Sequence, residues 1–181
     1  MKRFLISLFA ATSIFTPGVA LAENEPEDHL KLWNTLQNIG VTTVYNHKLH
    51  CVPGGDVSGI YYYNAGYLVV CQDNMTHHLK EEKWTDNDFD TLRHEAHHVL
   101  QDCVYGTLAD GEIGLFFQGD KHYTFVGMSS MSEYEIGLLY EDLQNAGLDY
   151  DQIKQEIEAY VVARDIPASM IERKLKEFCS K

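Results

Sequence analysis

The chain has 181 residues, of which 45% are hydrophobic and 12% aromatic, a composition typical of one globular domain rather than a disordered chain. Its 27 acidic and 14 basic residues give a formal net charge of −13. Such a surface repels phosphate backbones and anionic lipids, so we expect neither nucleic-acid binding nor membrane binding.

The N-terminal segment has the features of a bacterial signal peptide. Two basic residues precede a short apolar run, and Ala20 and Ala22 supply the small side chains that a signal peptidase needs. The run is too short to span a bilayer. We therefore predict a signal peptide over residues 1–22 and a domain over residues 23–181, exported to the periplasm or the medium. No cysteine follows the cleavage site directly, so we expect no membrane anchor after signal removal. The alternative is an uncleaved N-terminal helix.

The first half of the domain predicts one helix and three strands. Apolar residues spaced three apart over residues 27–39, with a glycine directly after them, predict an amphipathic helix. Residues 41–45 predict a strand. Residues 59–63 and 67–70 are rich in aromatic and β-branched residues and flank an Asn-Ala-Gly turn, which predicts a β-hairpin.

The second half of the domain is predicted to be mostly helical. A central helix is predicted to start between residues 85 and 88, where Thr85, Asp86, Asn87 and Asp88 supply capping side chains, and Gly106 ends it. Residues 107–130 predict a loop, with room for a short strand. Three helices follow: one over residues 132–145, one that Asp149 or Asp151 starts and that runs to residue 163, and one over residues 167–179. This order predicts an α+β single domain with a small antiparallel or mixed sheet, a central helix and C-terminal helices.

Four cysteines lie in the predicted exported domain, and an even number in an exported chain predicts two disulfides. Three pairings are possible. We favour Cys51 with Cys71, which would join two neighbouring strands, and Cys103 with Cys179, which would join the last helix to the central one. A four-cysteine zinc site is not expected, because no two cysteines form a close Cys-x-x-Cys pair.

The segment His94-Glu95-Ala96-His97-His98 combines residues that bind a metal ion and activate its bound water. On a helix, His94 and His98 project from one face about one turn apart, so both can bind one ion. Glu95 then lies near the open side of the metal, where its carboxylate can accept a proton from bound water. The alternatives are a histidine-rich surface helix and a pairing of His94 with His97. The position inside a well-capped helix favours a metal site, and we predict Zn²⁺ as the cofactor.

A zinc site needs a third protein ligand beyond two histidines. The glycine and third histidine of metzincins are excluded, because Gln101 and Val104 stand at their positions. Asp110 lies in a segment that resembles the Gly-Thr-x-Asp signature of aspzincins, but one position late. Glutamates on the downstream helices remain, with Glu133 and Glu135 as reserve candidates.

Residues 156–163, Glu-Ile-Glu-Ala-Tyr-Val-Val-Ala, resemble the Glu-Ala-x-x-x-Ala helix of small gluzincins, in which the glutamate ligates zinc. The resemblance implies Glu158 as the third ligand. Glu156 lies on nearly the opposite side of the helix, so both cannot serve. The alternative is that Glu158 lies on a solvated face. Residues 91–98 also look like the corresponding region of a family of small exported bacterial metallopeptidases, which implies a gluzincin-like zincin domain.

The resemblance to zincins implies two further features of the site. In zincins, the strand before the metal helix pairs with an extended peptide substrate, and the matching residues here are Leu68, Val69 and Val70. The alternative is an ordinary core strand. A donor near the metal is expected to stabilise the oxyanion, although any tyrosine is as readily a packing residue. The candidates for this donor are His122, Tyr123 and Tyr160.

The function implied is zinc-dependent hydrolysis of a peptide or protein substrate, with His94, His98 and Glu158 on zinc and Glu95 as general base. One alternative is a catalytically silent zincin-fold protein that binds zinc or a partner. A second is an exported, disulfide-linked interaction domain whose histidines are incidental. The sequence predicts no particular oligomeric state.

Overall fold

The computed structural model describes residues 25–179, so the predicted signal peptide lies outside the described residues. The described part is an α+β domain, as predicted, with six helices around one three-stranded mixed sheet. The elements are α1 (Glu25–Asn38), β1 (Thr42–Tyr45), β2 (Gly59–Tyr62), β3 (Tyr67–Val70), α2 (Asp86–Tyr105), α3 (Asp120–Gly127), α4 (Glu133–Asn145), α5 (Tyr150–Asp165) and α6 (Ala168–Phe178).

The sheet has the strand order β1-β3-β2, with β3 parallel to β1 and antiparallel to β2. The predicted hairpin of β2 and β3 is confirmed, with Ile60 opposite Val69. Both sides of β3 are therefore paired with another strand. The prediction that Leu68, Val69 and Val70 hold a substrate by edge pairing is wrong, because their backbone groups have no open edge. All three are fully buried, and β3 is the core strand that was the alternative.

The central helix α2 begins where its capping residues predict. Thr85 accepts a hydrogen bond from the backbone N–H of Asp88, and the Asp88 side chain accepts one from the backbone N–H of Thr85. At the other end, the backbone N–H of Gly106 donates to the carbonyl of Asp102. Nearly every residue between Asp88 and Cys103 is buried. The helix therefore runs through the core and carries its polar side chains into the interior.

Helix α5 lies antiparallel to α2. The Arg93 side chain, near the start of α2, donates to the carbonyl of Ala163, near the end of α5. Two turns later, the Gln101 side chain donates to the carbonyl of Gln155. These contacts set one helix against the other, with the histidines of α2 facing the middle of α5. The main core includes Leu92 and other apolar residues of α2, packed on α1, α6 and the sheet.

The prediction of a loop over residues 107–130 is wrong for its second part, where α3 forms. Helix α3 ends in a glycine and contains aromatic and β-branched residues that favour helices weakly. Contacts with the rest of the fold stabilise it instead. Phe125 stacks on Phe117 with ring centroids 4.3 Å apart, and His122 is buried against Glu158 of α5.

Both favoured disulfides are confirmed. Cys51 is bonded to Cys71 with Cα atoms 5.2 Å apart, and Cys103 to Cys179 with Cα atoms 5.3 Å apart. The second bond joins the end of α2 to the residue that follows α6. In the part of the chain that the structure describes, no helix is both long and apolar enough to cross a membrane.

Candidate metal centre

Three side chains from α2 and α5 meet at one point in the interior, and we call them the triad: His94, His98 and Glu156. His94 Nε2 lies 3.1 Å from His98 Nε2 and 3.2 Å from Glu156 Oε2. His98 Nε2 lies 3.4 Å from Glu156 Oε1. One potential ligand atom from each residue lies within 4.8 Å of those of the other two. Two imidazole nitrogens and a carboxylate oxygen form a set that zinc accepts, so the triad could hold a metal ion.

Burial and mutual contact give the triad a strong electrostatic coupling. Burial lowers the pKa of His94 to about 4. Burial also disfavours charge on His98 and Glu156, but their attraction for each other outweighs it. The pKa of His98 rises to about 9, and that of Glu156 falls well below its usual range. Glu156 is therefore the anion of the group, and it faces both histidine Nε2 atoms.

Glu95 lies beside the triad, as its place in the motif implies. The residue is fully buried. Its negative charge helps to raise the pKa of His98, after the larger effect of Glu156. On its other side lies strand β2, where a Cβ added to Gly59 would come within 2.7 Å of Glu95 Oε1. The lack of a side chain at Gly59 therefore leaves the space in which the carboxyl group of Glu95 lies.

Of the three oxyanion candidates, the structure brings Tyr160 to the triad. Its ring packs edge-on against that of His94, with centroids 4.8 Å apart. Burial, and then the charges of Glu156 and Glu95, raise the pKa of its hydroxyl. Tyr123 is 59% exposed and its hydroxyl meets that of Tyr150 at the surface, 3.0 Å away.

The structure corrects the prediction for Glu158, which does not take part in the triad. Its Oε1 accepts hydrogen bonds from His97 Nε2 at 2.7 Å, from Gln101 Nε2 at 3.2 Å and from the backbone N–H of Phe116 at 2.9 Å. Its Oε2 accepts from the backbone N–H of Phe117 at 3.2 Å. The same oxygen accepts a hydrogen bond from His122 Nδ1 at 3.3 Å. His122, the second oxyanion candidate, therefore faces Glu158.

Glu158 therefore holds the segment before α3 against α2 and α5. Its two oxygens accept five hydrogen bonds in the interior, so the carboxylate is well satisfied. Burial raises its pKa, but the hydrogen bonds from His122 and His97 outweigh this effect and lower the pKa to about 2. The alternative of a solvated Glu158 is also wrong, because the residue is 0% exposed.

The choice between Glu156 and Glu158 could not be read from the pattern of α5. As the sequence implied, the two side chains point in different directions, and only one of them reaches the triad. Helix α5 is buried on almost all sides, so no polar face shows which residues turn towards α2. Tyr160, one turn after Glu156, packs on His94, and this contact turns the Glu156 side of α5 towards the triad.

The other proposed ligands lie outside the triad. Asp110 accepts hydrogen bonds from the backbone N–H groups of Thr107 and Glu112. Glu135 caps α4 through Ser132, and Glu133 is exposed in the first turn of the same helix. One residue that sequence reasoning passed over does contact the triad. This residue is Gln101, whose amide oxygen lies 2.7 Å from His98 Nδ1.

Comparison with known proteins identifies no relative of this chain. No protein-family model matches the chain, and no curated protein or solved structure shows significant similarity to it. The chemical assignment of the centre therefore depends on the donor atoms of the triad and on the groups around them.

Proposed function

We propose that this protein is an exported zinc peptidase of the gluzincin type, with His94, His98 and Glu156 as zinc ligands. The observation that carries the proposal is the buried triad with the carboxyl group of Glu95 beside it. Two histidines and a glutamate are a ligand set of known zinc peptidases, and the metal then keeps a position for water or substrate. The set differs from the one predicted from sequence only in the third ligand, Glu156 in place of Glu158.

Zinc held by His94, His98 and Glu156 would act as a Lewis acid, which would lower the pKa of a bound water to about 7 and polarise the scissile carbonyl. Glu95 accepts the proton of the attacking water on a carboxylate oxygen and passes it to the leaving amine. Tyr160 is suited to donate a hydrogen bond to the oxyanion, because its ring packs against His94 and its hydroxyl is protonated at neutral pH. The buried surroundings of Glu95 and of the triad strengthen these interactions.

Two disulfides support export to an oxidising compartment, the periplasm or the medium. The substrate in that compartment would be a peptide or a protein. The signal peptide predicted over residues 1–22 would direct the chain to that compartment.

A second candidate function is zinc binding without catalysis. The observation that favours it is burial, because His94 and Glu156 are fully buried and His98 is 3% exposed. Structural zinc sites are closed, whereas a catalytic site has to admit its substrate. Under this alternative the metal would stabilise the packing of α2 on α5.

Metal analysis of the exported protein tests the ligand set. With zinc in excess, we expect about one zinc per chain in the wild type and in Glu158→Gln, and none in Glu156→Gln. Both substitutions replace a buried glutamate of α5 with its isosteric amide, so each controls for the other once circular dichroism shows that both variants are folded. Zinc retained by Glu156→Gln and lost from Glu158→Gln would show that the ligand assignment is wrong.

Hydrolysis separates the peptidase from the silent protein. A mixture of quenched fluorescent peptides is incubated with the zinc-loaded wild type and with zinc-loaded Glu95→Gln. Cleavage by the wild type alone, with equal zinc in both proteins, supports the peptidase. Zinc without cleavage in the wild type supports the silent alternative, and no zinc in the wild type after reconstitution refutes both.

A further inference from the structure

We infer that Gln101 is a positioning residue of the metal centre, which holds the Nδ1–H of His98 so that Nε2 of His98 faces the metal. The inference rests on the proposed function, since it concerns the same triad. It also gives Glu158 a role, because Glu158 holds the amide group of Gln101 in the orientation that this task requires.

The surroundings of Gln101 determine which way its amide points. Its Nε2 lies 3.1 Å from the carbonyl oxygen of Gln155 and 3.2 Å from Glu158 Oε1. Both partners are acceptors, so the group that faces them has to be the amide NH₂. The amide oxygen is thereby turned towards His98, where it lies 2.7 Å from Nδ1. Gln101 is 0% exposed, so water does not compete for these contacts.

The orientation of Gln101 determines the proton on His98. An amide oxygen can only accept, so the nitrogen opposite it, Nδ1, has to carry a hydrogen. Once a metal ion displaces any proton from Nε2, the neutral ring has its hydrogen on Nδ1 and its lone pair on Nε2. This Nε2 is the atom that faces His94 Nε2 at 3.1 Å and Glu156 Oε1 at 3.4 Å. Gln101 therefore selects the nitrogen that binds the metal and fixes the plane of the ring.

Glu158 makes this arrangement rigid. A side-chain amide on its own can rotate, but Glu158 is held by the backbone N–H groups of Phe116 and Phe117 and by His97. The carboxylate that faces Gln101 is thus fixed by three other groups, and two of them bond the same oxygen, Oε1. The path from the segment before α3 to the metal ligand runs through Glu158 and Gln101 to His98, and groups of this kind tune metal affinity in other metalloproteins.

The test compares the zinc affinity of Gln101→Met and Gln72→Met with that of the wild type. Methionine keeps the length of the side chain and removes the amide. Gln72 is the matched control, because its buried amide bonds Asn46 and the backbone of Glu82 rather than the triad. In a competition titration with a chromophoric chelator, we expect the Kd for zinc to rise about 10- to 100-fold in Gln101→Met and to stay unchanged in Gln72→Met.

Nitrogen-15 NMR of the histidine side chains supplies a readout that loss of packing alone would not change. In zinc-loaded wild type we expect His98 to carry its hydrogen on Nδ1, with the corresponding N–H signal protected from exchange. That signal should persist in Gln72→Met and weaken or vanish in Gln101→Met. A non-protonated Nδ1 in the wild type overturns the inference even if Gln101→Met does not fold.

The possible results separate this inference from the proposed function. A wild-type His98 with a non-protonated Nδ1 overturns the inference, and so does a Gln101→Met variant that binds zinc as tightly as the wild type. Both results leave the zinc site itself intact. If the wild type binds no zinc, the proposed function fails. The Nδ1 signal of His98 in the metal-free protein, kept in Gln72→Met and lost in Gln101→Met, would then still support the role of Gln101, and equal signals in both variants would overturn it.

Discussion

Asp102 is a buried carboxylate whose charge reduces the stability of the folded protein, and Asp102→Asn should remove that effect. Its Oδ2 accepts hydrogen bonds from the Tyr61 hydroxyl at 2.5 Å and from the backbone N–H of Ala109 at 3.1 Å. Its Oδ1 is buried with no hydrogen-bond partner among residues 25–179. An asparagine whose amide oxygen takes the place of Oδ2 keeps both hydrogen bonds, and the substitution changes mainly the charge.

The expected magnitude follows from the pKa of Asp102. Burial raises this pKa from 3.8 to about 6, although the hydrogen bond from Tyr61 opposes the change. A shift of this size corresponds to about 3 kcal/mol, and solvent screening near the end of α2 reduces the figure to about 2 kcal/mol. The folded-state pKa lies above the unfolded one, so the folded protein binds this proton more tightly. The wild type therefore has the full contribution of the group below pH 3.8 and loses it as the pH rises through about 6.

Urea unfolding of wild type and Asp102→Asn, with the disulfides intact, measures the effect. The unfolding free energy of the variant minus that of the wild type should increase by about 2 kcal/mol between about pH 4 and about pH 7. Other titrating groups cancel in this difference. Asp142→Asn, at an exposed position of α4, should show no such change with pH. A difference between Asp102→Asn and wild type that stays constant over the same pH range would refute the reasoning.

Two further predictions concern a glycine and a disulfide. Gly59→Ala should destabilise the protein by about 1–3 kcal/mol in urea unfolding, because the new Cβ would lie 2.6 Å from the Thr91 side chain. Gly137→Ala, in α4 with open space around it, should stabilise by about 0.5–1 kcal/mol, and equal effects at both glycines would contradict the packing described. Removal of the Cys103–Cys179 bond, which closes a loop of 76 residues, should lower the unfolding free energy by about 4 kcal/mol. An unchanged denaturation midpoint in the double alanine variant would show that this bond does not constrain the unfolded chain.

Elements with local signals were predicted well from the sequence. Thr85 with Asp88, and Ser132 with Glu135, form capping boxes that start α2 and α4 at the expected positions. Asp149 caps α5 in the same way, through Gln152. These signals act over three or four residues, so the chain order alone contains them.

The parts that were predicted wrongly depend on contacts between distant residues. Helix α3 is stabilised by Phe117 and Glu158 rather than by its own composition. Strand β3 lies in the middle of the sheet because β1 joins it from the far side, a parallel pairing that no turn encodes. The presence of Glu156 rather than Glu158 in the triad depends on the rotation of α5, and burial on almost all sides leaves this helix without an amphipathic pattern.

Glu95 gives the strongest argument that the triad serves a reaction. A site that only holds zinc needs its ligands, and burial of a further carboxyl group beside Glu156 reduces stability. Glu95 is nevertheless fully buried, and its charge raises the pKa values of His98 and Tyr160, in each case after larger effects. We therefore expect Glu95→Gln to keep its zinc, to unfold in urea at the same or a higher midpoint than the wild type, and to lose hydrolysis. A Glu95→Gln variant that is less stable by more than about 2 kcal/mol would instead assign Glu95 to the packing of α2 against β2.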